Sequence, residues 1–359
     1  MKKWFIGALF ILPLLLFIGF VNWYVDSYAL LRVTYDDIAG QMAAGKNVEG
    51  LEESDYNDRN LLLARISGME EAPQVMVLGS SRVYTFDHNM FDTTSFYNAG
   101  LSEATVYDLL AVAGILTAQG KLPDTMIIGV DPFLFNTSHD NEKWKELKSY
   151  ADYMGQIIDG KPNETTLPFS KNTGRDYRKM FSLEYFRYNV TLLFENKRFA
   201  VSYTDDWETE RYLKHSDGSV SYQRKLREVA VSEVEELTRQ SIEEHVVYRM
   251  TDYHKIDEAH FAHFSRLIDY MQRAGVEVIL YLPPYSPMVY NYIESEEAFR
   301  IALHVEEKMK VLAMDKGVAL YGSYDPAGCG LEMMDLYDIY HVKAKKTADT
   351  YYLVLPAKR

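Results

Sequence analysis

The sequence predicts an α/β fold in which helices cover a central parallel sheet. Two short apolar runs, Val75–Leu78 and residues 125–130, have the composition of strands that are buried on both faces. Apolar residues also recur at helical spacing, most clearly over residues 256–274. Strands that alternate with long helical segments are typical of a parallel sheet with helices on both faces.

The predicted elements follow this alternation along the chain. Gly79 ends the first strand, and Ser102 is the predicted N-cap of the first covering helix, because a serine hydroxyl accepts hydrogen bonds from the free amides at a helix start. The full set is a strand at 75–78, a helix through 106–116, a strand at 125–130, a helix at 256–274, a strand at 276–281, a helix at 296–316, a strand at 318–321 and a helix at 343–353.

A polar, tyrosine-rich stretch at residues 136–250 interrupts the alternation. Asp217 and Gly218 predict a hairpin turn within it, and we interpret the stretch as an insertion near the carboxyl ends of the strands. A chain of 359 residues is long enough for one large α/β domain with an insertion, or for two domains. The predicted organisation is a transmembrane signal-anchor at 1–25, a juxtamembrane stalk at 26–72, the α/β domain at 73–135 and 251–359, and the insertion at 136–250.

The N-terminus predicts a membrane anchor. Lys2 and Lys3 precede an apolar run from Trp4 to Tyr24, which only two glycines, one proline and one asparagine interrupt. At about 1.5 Å per residue the run spans a hydrocarbon core of about 30 Å, and no small-residue cleavage signature follows it, which argues against a cleaved signal peptide. The lysines place the N-terminus in the cytoplasm. We therefore expect a single-pass protein of the cell membrane with an extracytoplasmic C-terminal domain.

The composition excludes several classes of function. A formal net charge of −14, with no basic block beyond the first three residues, lacks the electrostatic footprint of a nucleic-acid-binding protein. The single cysteine, Cys329, cannot form an internal disulfide, and no zinc-finger spacing is present. His254, His260 and His263 include a pair three residues apart, but no metalloprotease motif accompanies them. We therefore expect neither a metal nor another cofactor.

A serine and a late Asp-His pair carry the predicted chemistry. Ser81 follows a buried strand, so it lies at the carboxyl edge of the sheet, where α/β proteins bind ligands. Asp338 and His341 lie three residues apart near the C-terminus. The aspartate can orient one ring nitrogen of the histidine while the other nitrogen takes the proton of a serine. These three residues form a candidate catalytic triad.

The order and position of these motifs resemble the SGNH hydrolase superfamily. The first block of that superfamily, Gly-Asp-Ser, resembles Gly79-Ser80-Ser81, which implies that Ser81 is the nucleophile. The last block, Asp-x-x-His, resembles Asp338 to His341. The resemblance thus implies the same triad that the residues suggest by themselves.

Two further blocks of the superfamily are present in altered form. The Asn-x-Gly block resembles Asn98 to Gly100, but Glu103 stands where a glycine of the oxyanion hole is expected. The Gly-x-Asn-Asp block resembles residues 129–132, with Asp131 in place of the oxyanion-hole asparagine. An ionised Asp131 would repel an oxyanion, which argues against ordinary esterase chemistry. The oxyanion-hole and substrate-binding residues that the resemblance implies are Gly100, Glu103, Asp131, Arg82 and Asn98.

Together with the N-terminal anchor, these blocks are most similar to the membrane-anchored envelope branch of the superfamily, which includes the teichoic-acid D-alanylation protein DltD and the alginate O-acetylation proteins AlgJ and AlgX. The resemblance covers residues 75–135 and 256–345 and implies a three-layer sandwich around the parallel sheet. It also implies O-acyl transfer to an envelope polysaccharide or teichoic-acid-like polymer beside a membrane-bound O-acyltransferase. The alternatives are a carbohydrate or lipid esterase on the same triad, and a non-catalytic scaffold for a membrane acyltransferase.

Two neighbouring features each have two interpretations. Arg82 follows the nucleophile and can bind an anionic acceptor or pair with Asp131. Tyr281 and Tyr285 end a strand at the same edge of the sheet, where they can line an acceptor groove. The Pro-Pro pair between these tyrosines is equally a plain way to stop a strand.

Overall fold

The computed structural model of the protein describes residues 2–27, 31–52, 56–93, 95–139, 142–162, 167, 177–195 and 201–352, and gives only the backbone of residues 2–10, 139 and 352. The helices in this part of the chain are α1 (Lys2–Val25), α2 (Tyr35–Ala43), α3 (Asp58–Ser67), α4 (Val106–Ala118), α5 (Lys148–Ile158), α6 (Leu183–Phe194), α7 (Arg224–Arg227), α8 (Val231–Glu243), α9 (Glu258–Arg273), α10 (Pro287–Ser295), α11 (Ile301–Lys316) and α12 (Ala344–Tyr352). The strands are β1 (Asn47–Glu49), β2 (Val75–Leu78), β3 (Phe96–Asn98), β4 (Thr125–Gly129), β5 (Ser202–Thr204), β6 (Leu213–Lys214), β7 (Val220–Ser221), β8 (Glu277–Leu282) and β9 (Ala319–Gly322).

The chain divides into two units. The N-terminal unit comprises Met1–Met69 and Phe169–Ser216, and the α/β unit comprises Glu70–Pro168 and Asp217–Arg359. These boundaries differ from the predicted ones, because the predicted insertion at 136–250 is shared between the units. Its two ends belong to the α/β unit and its middle part belongs to the N-terminal unit. Most of the predicted stalk also belongs to the N-terminal unit, where it includes α2, β1 and α3.

The α/β unit contains a five-stranded parallel sheet in the order β3-β2-β4-β8-β9. The prediction of a mixed α/β fold with a parallel sheet is confirmed. Met76, Val77 and Leu78 in β2 are fully buried, as expected for a strand that is covered on both faces. β3 is not among the predicted strands. It pairs with one edge of β2, and β4 pairs with the other edge.

The strand order creates a switch point between β2 and β4. After β2 the chain first adds β3 on one side, and it then crosses to β4 on the other side. The loops that follow β2 and β4 therefore diverge at the carboxyl edge of the sheet. Such a crevice is the usual ligand site of an open α/β sheet.

Helices pack on the sheet and on one another. α9 contacts β8, α11 and α12 contact β9, and α4 contacts α5 and α9. Tyr351 of α12 packs edge-on against Phe86, with the ring centroids 5.6 Å apart, and Phe86 in turn lies 5.0 Å from the ring of Tyr281 in β8. This aromatic cluster fixes α12 on the sheet.

One helix start differs from the sequence prediction, and one predicted helix end lies outside the described residues. The N-cap of α4 is Thr105, so the prediction of Ser102 is wrong. Thr105 and Asp108 form a capping box, in which each side chain accepts a hydrogen bond from the other residue's backbone amide. The predicted C-terminal helix corresponds to α12, and Leu353, its predicted last residue, lies outside the described residues.

In the N-terminal unit, α1 packs through one face of its C-terminal half. Ile18, Val21, Asn22 and Val25 recur at helical spacing and are buried, whereas residues 11–17 are exposed. Among the residues whose side chains are described, no helix has the length and apolar character of a membrane span. The side chains of the two N-terminal lysines lie outside that part of the chain.

The predicted stalk forms part of a second hydrophobic core in the N-terminal unit. Ile38 and Met42 of α2 pack with Val48 of β1, with Leu51, and with Leu61 of α3. β1 pairs antiparallel with β5 and with β6. Residues from both ends of this unit's sequence therefore share one sheet.

α4 and α5 approach each other closely at Gly114. A Cβ atom at this position would lie 2.3 Å from the carbonyl oxygen of Tyr150, so Gly114→Ala must push the two helices apart. We expect this substitution to lower the free energy of unfolding by about 1–3 kcal/mol, the usual cost of overpacking a core. Urea unfolding followed by circular dichroism measures the change.

Gly155 in α5 provides the matched control. A Cβ atom there would meet no atom of the described residues within 4 Å. Gly155→Ala should therefore leave the packing unchanged and stabilise the helix by about 0.5–1 kcal/mol. Equal effects of the two substitutions would contradict the close helix contact at Gly114.

Candidate active site

Ser81 lies in the first turn after β2. Leu78 ends the strand, and residues Ser81–Val83 form a 3-10 turn whose N-cap is Ser80. Ser80 Oγ accepts a hydrogen bond from the backbone amide of Arg82 at 3.2 Å, and Ser80 is 2% exposed. Of the two adjacent serines, Ser80 therefore holds the turn.

Ser81, His341 and Asp338 form one hydrogen-bonded chain. Ser81 Oγ lies 2.8 Å from His341 Nε2, and His341 Nδ1 lies 2.8 Å from Asp338 Oδ2. Because a carboxylate can only accept, Nδ1 carries the proton that it donates to Asp338, and Nε2 accepts from the Ser81 hydroxyl. The fold brings this serine and histidine together across 260 positions of sequence. In this geometry the imidazole can take the proton of the serine.

The loop that carries Asp338 and His341 is held by its own hydrogen bonds. Asp338 Oδ1 accepts from the backbone amides of Tyr340 and His341 at 2.8 and 2.9 Å. Leu336 and Val342 close the loop as a β-bridge. Burial alone would raise the pKa of Asp338, but the hydrogen bonds and charge of His341 and the two amides hold that pKa below its ordinary value. Asp338 is therefore a carboxylate that fixes both its loop and the imidazole.

Arg82, next to the nucleophile, forms a buried ion pair with Asp131. Its Nη1 donates to Asp131 Oδ1 at 2.8 Å, and the two side chains are 6% and 1% exposed. Its Nη2 donates to the carbonyl oxygens of Pro283 and Pro284 at 2.8 and 2.6 Å. The guanidinium also lies 4.4 Å from the ring centroid of Tyr285. Burial alone would lower the pKa of Arg82, but Asp131 raises it above its ordinary value, so the guanidinium is charged.

Both the nitrogen and the oxygen of the Asn98 side-chain amide form hydrogen bonds with the backbone of the site. Its Nδ2 donates to the carbonyl oxygens of Val83 and Phe86 at 2.7 and 2.9 Å. Its Oδ1 accepts from the backbone amide of Gly100 at 2.9 Å. The Gly100 amide, which the sequence assigns to the oxyanion hole, is thus bonded to Asn98. Asn98 fixes the segment that follows Ser81.

Glu103 replaces the expected glycine but keeps a backbone conformation that favours glycine. Its φ is 53°, in the left-handed region. Its Oε2 accepts from Arg249 Nη2 at 2.8 Å and lies 3.3 Å from Lys143 Nζ. Burial alone would raise the pKa of Glu103, but these two cations lower it below its ordinary value. The loop after β3 therefore keeps a glycine-like turn, with the added carboxylate bound to two cations.

A cavity of about 160 Å³ adjoins the triad. Aromatic residues form much of its wall, and the nucleophile, the base and Arg82 also line it. Its lining residues are Ser80, Ser81, Arg82, Glu103, Phe133, Tyr248, Tyr285, Tyr340 and His341. The sequence-predicted residues that lie outside this lining are Asn98, Gly100, Asp131 and Asp338.

The sequence analysis missed three aromatic residues of the cavity wall. Phe133 directly follows residues 129–132, and Tyr340 lies between Asp338 and His341, so closeness to these predicted motifs is a signal that could have found them. Tyr248 comes from the predicted insertion, where no pattern indicates it. Its backbone amide donates to the Tyr340 hydroxyl at 3.0 Å, and its ring packs edge-on against Phe133. The three residues therefore form one wall.

The two tyrosines that flank the Pro-Pro pair have different surroundings. Tyr285 lines the cavity, as the acceptor-groove interpretation expects. Tyr281 is buried in the core, and its hydroxyl lies 2.7 Å from Thr350 Oγ1. Tyr222, which the sequence analysis also missed, lies beside the base, with its ring centroid 5.6 Å from that of His341. An aromatic ring thus borders the imidazole of the triad.

The histidines near the start of α9 pack on an aromatic ring. His260 is edge-on to Tyr107, with centroids 5.2 Å apart, and His263 lies 6.4 Å from the same ring. Within the described residues, no group of three or more His, Cys, Asp and Glu side chains is placed to hold a metal ion.

Comparison with known proteins gives one match. Residues 9–326 match the family model described as "Protein of unknown function (DUF1574)". No curated protein and no solved structure matches the chain. Because the family model covers most of the 359 residues, the protein belongs to the DUF1574 family.

Proposed function

We propose that the protein is an extracytoplasmic O-acyltransferase that modifies a glycopolymer of the cell envelope through Ser81, His341 and Asp338. The observation that carries the proposal is the hydrogen-bonded chain of these three residues beside a cavity. A serine that donates to a carboxylate-held histidine is an activated nucleophile. The parallel sheet and the order of the motifs along the chain support an SGNH-like three-layer sandwich.

The proposed reaction has two balanced steps. Ser81 Oγ attacks the carbonyl carbon of an acyl donor while His341 Nε2 takes the hydroxyl proton. The bond to the leaving group then breaks, and the imidazole returns the proton to that group. A sugar hydroxyl next attacks the acyl-serine ester, gives its proton to the imidazole, and displaces Ser81 Oγ, which recovers the proton. Water in place of the sugar would make the same residues an esterase.

Arg82 supplies positive charge for the tetrahedral oxyanion in this proposal. Asp131 stands where the resemblance implies a neutral amide donor, but its carboxylate binds Arg82 and lies outside the cavity lining. Arg82 is therefore the member of the ion pair that lines the cavity. The backbone amide of Glu103, in its glycine-like conformation, is the proposed second donor. Fixed charges and dipoles of this kind are effective because a water-poor site screens them weakly.

We further propose that α1 anchors the protein in the membrane. The apolar run from Trp4 to Tyr24, the two lysines before it and the helical backbone of α1 support this anchor. A membrane-bound O-acyltransferase would then deliver the acyl group, and a polysaccharide or teichoic-acid-like polymer would accept it outside the membrane. The serine and the imidazole supply the nucleophile and the base for this chemistry.

The identity of the nucleophile is tested with a fluorescent, serine-directed fluorophosphonate. The unaltered protein and the control Ser80→Ala should be labelled, whereas Ser81→Ala should not, because Ser81 contacts the base. Fluorescence of the protein band measures the labelling. Labelling of Ser81→Ala but not of Ser80→Ala would move the nucleophile by one residue.

The same pair of variants tests the function in cells. Ser81→Ala should remove the acyl groups from the envelope polymer, and Ser80→Ala should retain most of them. Ester-linked acyl groups released from isolated polymer by mild alkali provide the measurement. A Ser81→Ala protein that still supports full acylation would contradict transfer by this serine and favour the scaffold alternative.

Acid should stop the acylation of Ser81. Asp338 stays ionised in mild acid because its pKa is held below its ordinary value, so it continues to hold Nδ1 of His341. Protonation of Nε2 removes the acceptor for the serine proton. The fluorophosphonate labelling rate should therefore fall about tenfold per pH unit at the acidic end, the dependence expected for one proton.

Asp338→Asn should also slow labelling by orders of magnitude in a folded protein, because an amide no longer sets the tautomer of His341. Asp335→Asn is the matched control, since Asp335 lies in the same segment but its Oδ2 accepts from the amide of Glu332. A rate that responds neither to acid nor to Asp338→Asn would mean that the loop is only structural.

Neutralising the Arg82–Asp131 pair tests the charge at the cavity. The double variant Arg82→Gln/Asp131→Asn leaves no unpaired buried charge, so we expect it to fold. Its labelling rate should fall about 10²- to 10³-fold, the usual loss for one oxyanion donor. Arg82→Gln alone leaves Asp131 uncompensated and should also lower the free energy of unfolding by about 3–5 kcal/mol. A folded double variant that is labelled at the original rate would restrict Arg82 to a structural role.

A further inference from the structure

We propose that the segment Tyr177–Phe194 is a second membrane contact, which lies on an anionic lipid surface beside α1. The segment consists of a 3-10 turn at Tyr177–Phe181 followed by α6. This inference rests on the proposed role of α1 as an anchor. The packing, the exposure and the charge of the segment carry it.

α6 packs against the C-terminal half of α1 and against Asp26, the residue that follows it. Phe186 packs against Phe17 with ring centroids 5.9 Å apart, whereas the neighbouring Tyr185 donates to Asp26 Oδ1 at 3.1 Å. The contacts of α6 therefore extend from Phe17, within the apolar run, to Asp26, just beyond α1. If α1 spans the bilayer, these contacts place α6 at the outer end of the predicted span.

A buried polar joint holds the segment against α1. Asn22, which interrupts the apolar run of α1, and Asn189 of α6 are both fully buried. Asn189 Nδ2 donates to Asn22 Oδ1 at 3.0 Å. Asn22 Nδ2 in turn lies 2.9–3.2 Å from three backbone carbonyl oxygens, those of Lys179, Met180 and Ser182. The asparagine in the apolar run therefore positions this segment.

The side of the segment that faces away from the joint exposes large apolar side chains together with an arginine. Leu183, Arg187 and Phe194 share one face of α6 by their spacing, opposite Asn189. Leu183 is 62% exposed and Phe194 is 86% exposed, and the preceding turn adds Phe181 at 52%. Scattered apolar side chains are ordinary on a protein surface, but a cluster of large ones indicates a surface that contacts an apolar medium.

The charge of the segment favours anionic lipid over a protein partner. Residues 171–198 contain seven Lys or Arg against three Asp or Glu, in a chain whose net charge is −14. Arg178, Lys179 and Arg187 are exposed among the apolar side chains. Interfacial helices have this composition, because their rings enter the headgroup boundary while the long basic side chains reach the lipid phosphates.

The test uses the full chain in vesicles of phosphatidylcholine and phosphatidylglycerol. In a background of Cys329→Ala, which removes the single buried thiol, the variant Phe194→Cys carries an NBD fluorophore. Asp205→Cys, at an acidic position of the same unit whose side chain is 77% exposed, is the matched control. We expect lipids that are spin-labelled near the headgroup to quench the probe at position 194, with a blue-shifted emission, and to leave the probe at 205 unchanged.

Neutralising cations tests the lipid class. Lys179→Gln with Arg187→Gln should reduce the quenching at position 194, and so should vesicles of phosphatidylcholine alone. Lys225→Gln with Lys345→Gln, two exposed cations of the α/β unit, is the control and should have no effect. If neither Lys179→Gln with Arg187→Gln nor the loss of the anionic lipid changes the quenching at position 194, the preference for anionic lipid is wrong.

Flotation with the vesicles separates this inference from the proposal on which it rests. Protein that floats but whose probe at position 194 is unquenched would keep the anchor and overturn the second contact. Protein that does not float would overturn the anchor, and the second contact with it. Because the vesicles contain no other protein, quenching at position 194 supports lipid, and not a protein partner, as the occupant of this face.

Discussion

The buried guanidinium of Arg82 joins the ends of three parallel strands. Arg82 itself follows β2. Its guanidinium pairs with Asp131, which follows β4, and donates to the carbonyl oxygens of Pro283 and Pro284, which follow β8. A charge that has left water costs on the order of several kcal/mol unless it is paired and hydrogen-bonded. Separation of the three strand ends would therefore leave this charge without its partners. Ser81, the neighbour of Arg82, is fixed by the same contacts relative to the loops around the cavity.

The histidine of the site is positioned independently of this ion pair. Asp338 binds two amides of its own loop as well as the imidazole of His341, so the base is oriented before it meets the serine. On the other side, Asn98 fixes the turn that presents Ser81. Two separately held segments thus meet in the 2.8 Å hydrogen bond between Ser81 and His341. Such preorganisation is what a two-step acyl transfer requires, because the donors and the base need little movement during the reaction.

Sequence patterns predicted the parts of the fold whose signal is local. Buried strands and amphipathic helices have their own periodicity, and the motif of Ser81 lies directly after a buried strand. Asp338 and His341 are recognisable because they lie three positions apart. β3 escaped prediction because three residues are too few for a pattern, and Thr105 rather than Ser102 caps α4 because the capping box needs Asp108. Tyr248 reaches the cavity only through tertiary packing, and the pairing of β1 with β5 joins distant parts of the chain. Neither leaves a periodic signal in the sequence.

We propose that Ser81 forms an acyl intermediate. Incubation of the protein with a small activated ester, followed by intact-mass and peptide-mass analysis, measures this intermediate. We predict a mass increase of one acyl group on the peptide that contains Ser81, lost on treatment with an acceptor sugar and absent in Ser81→Ala. A protein that gains no acyl group, or that carries it on a peptide without Ser81, would contradict the claim.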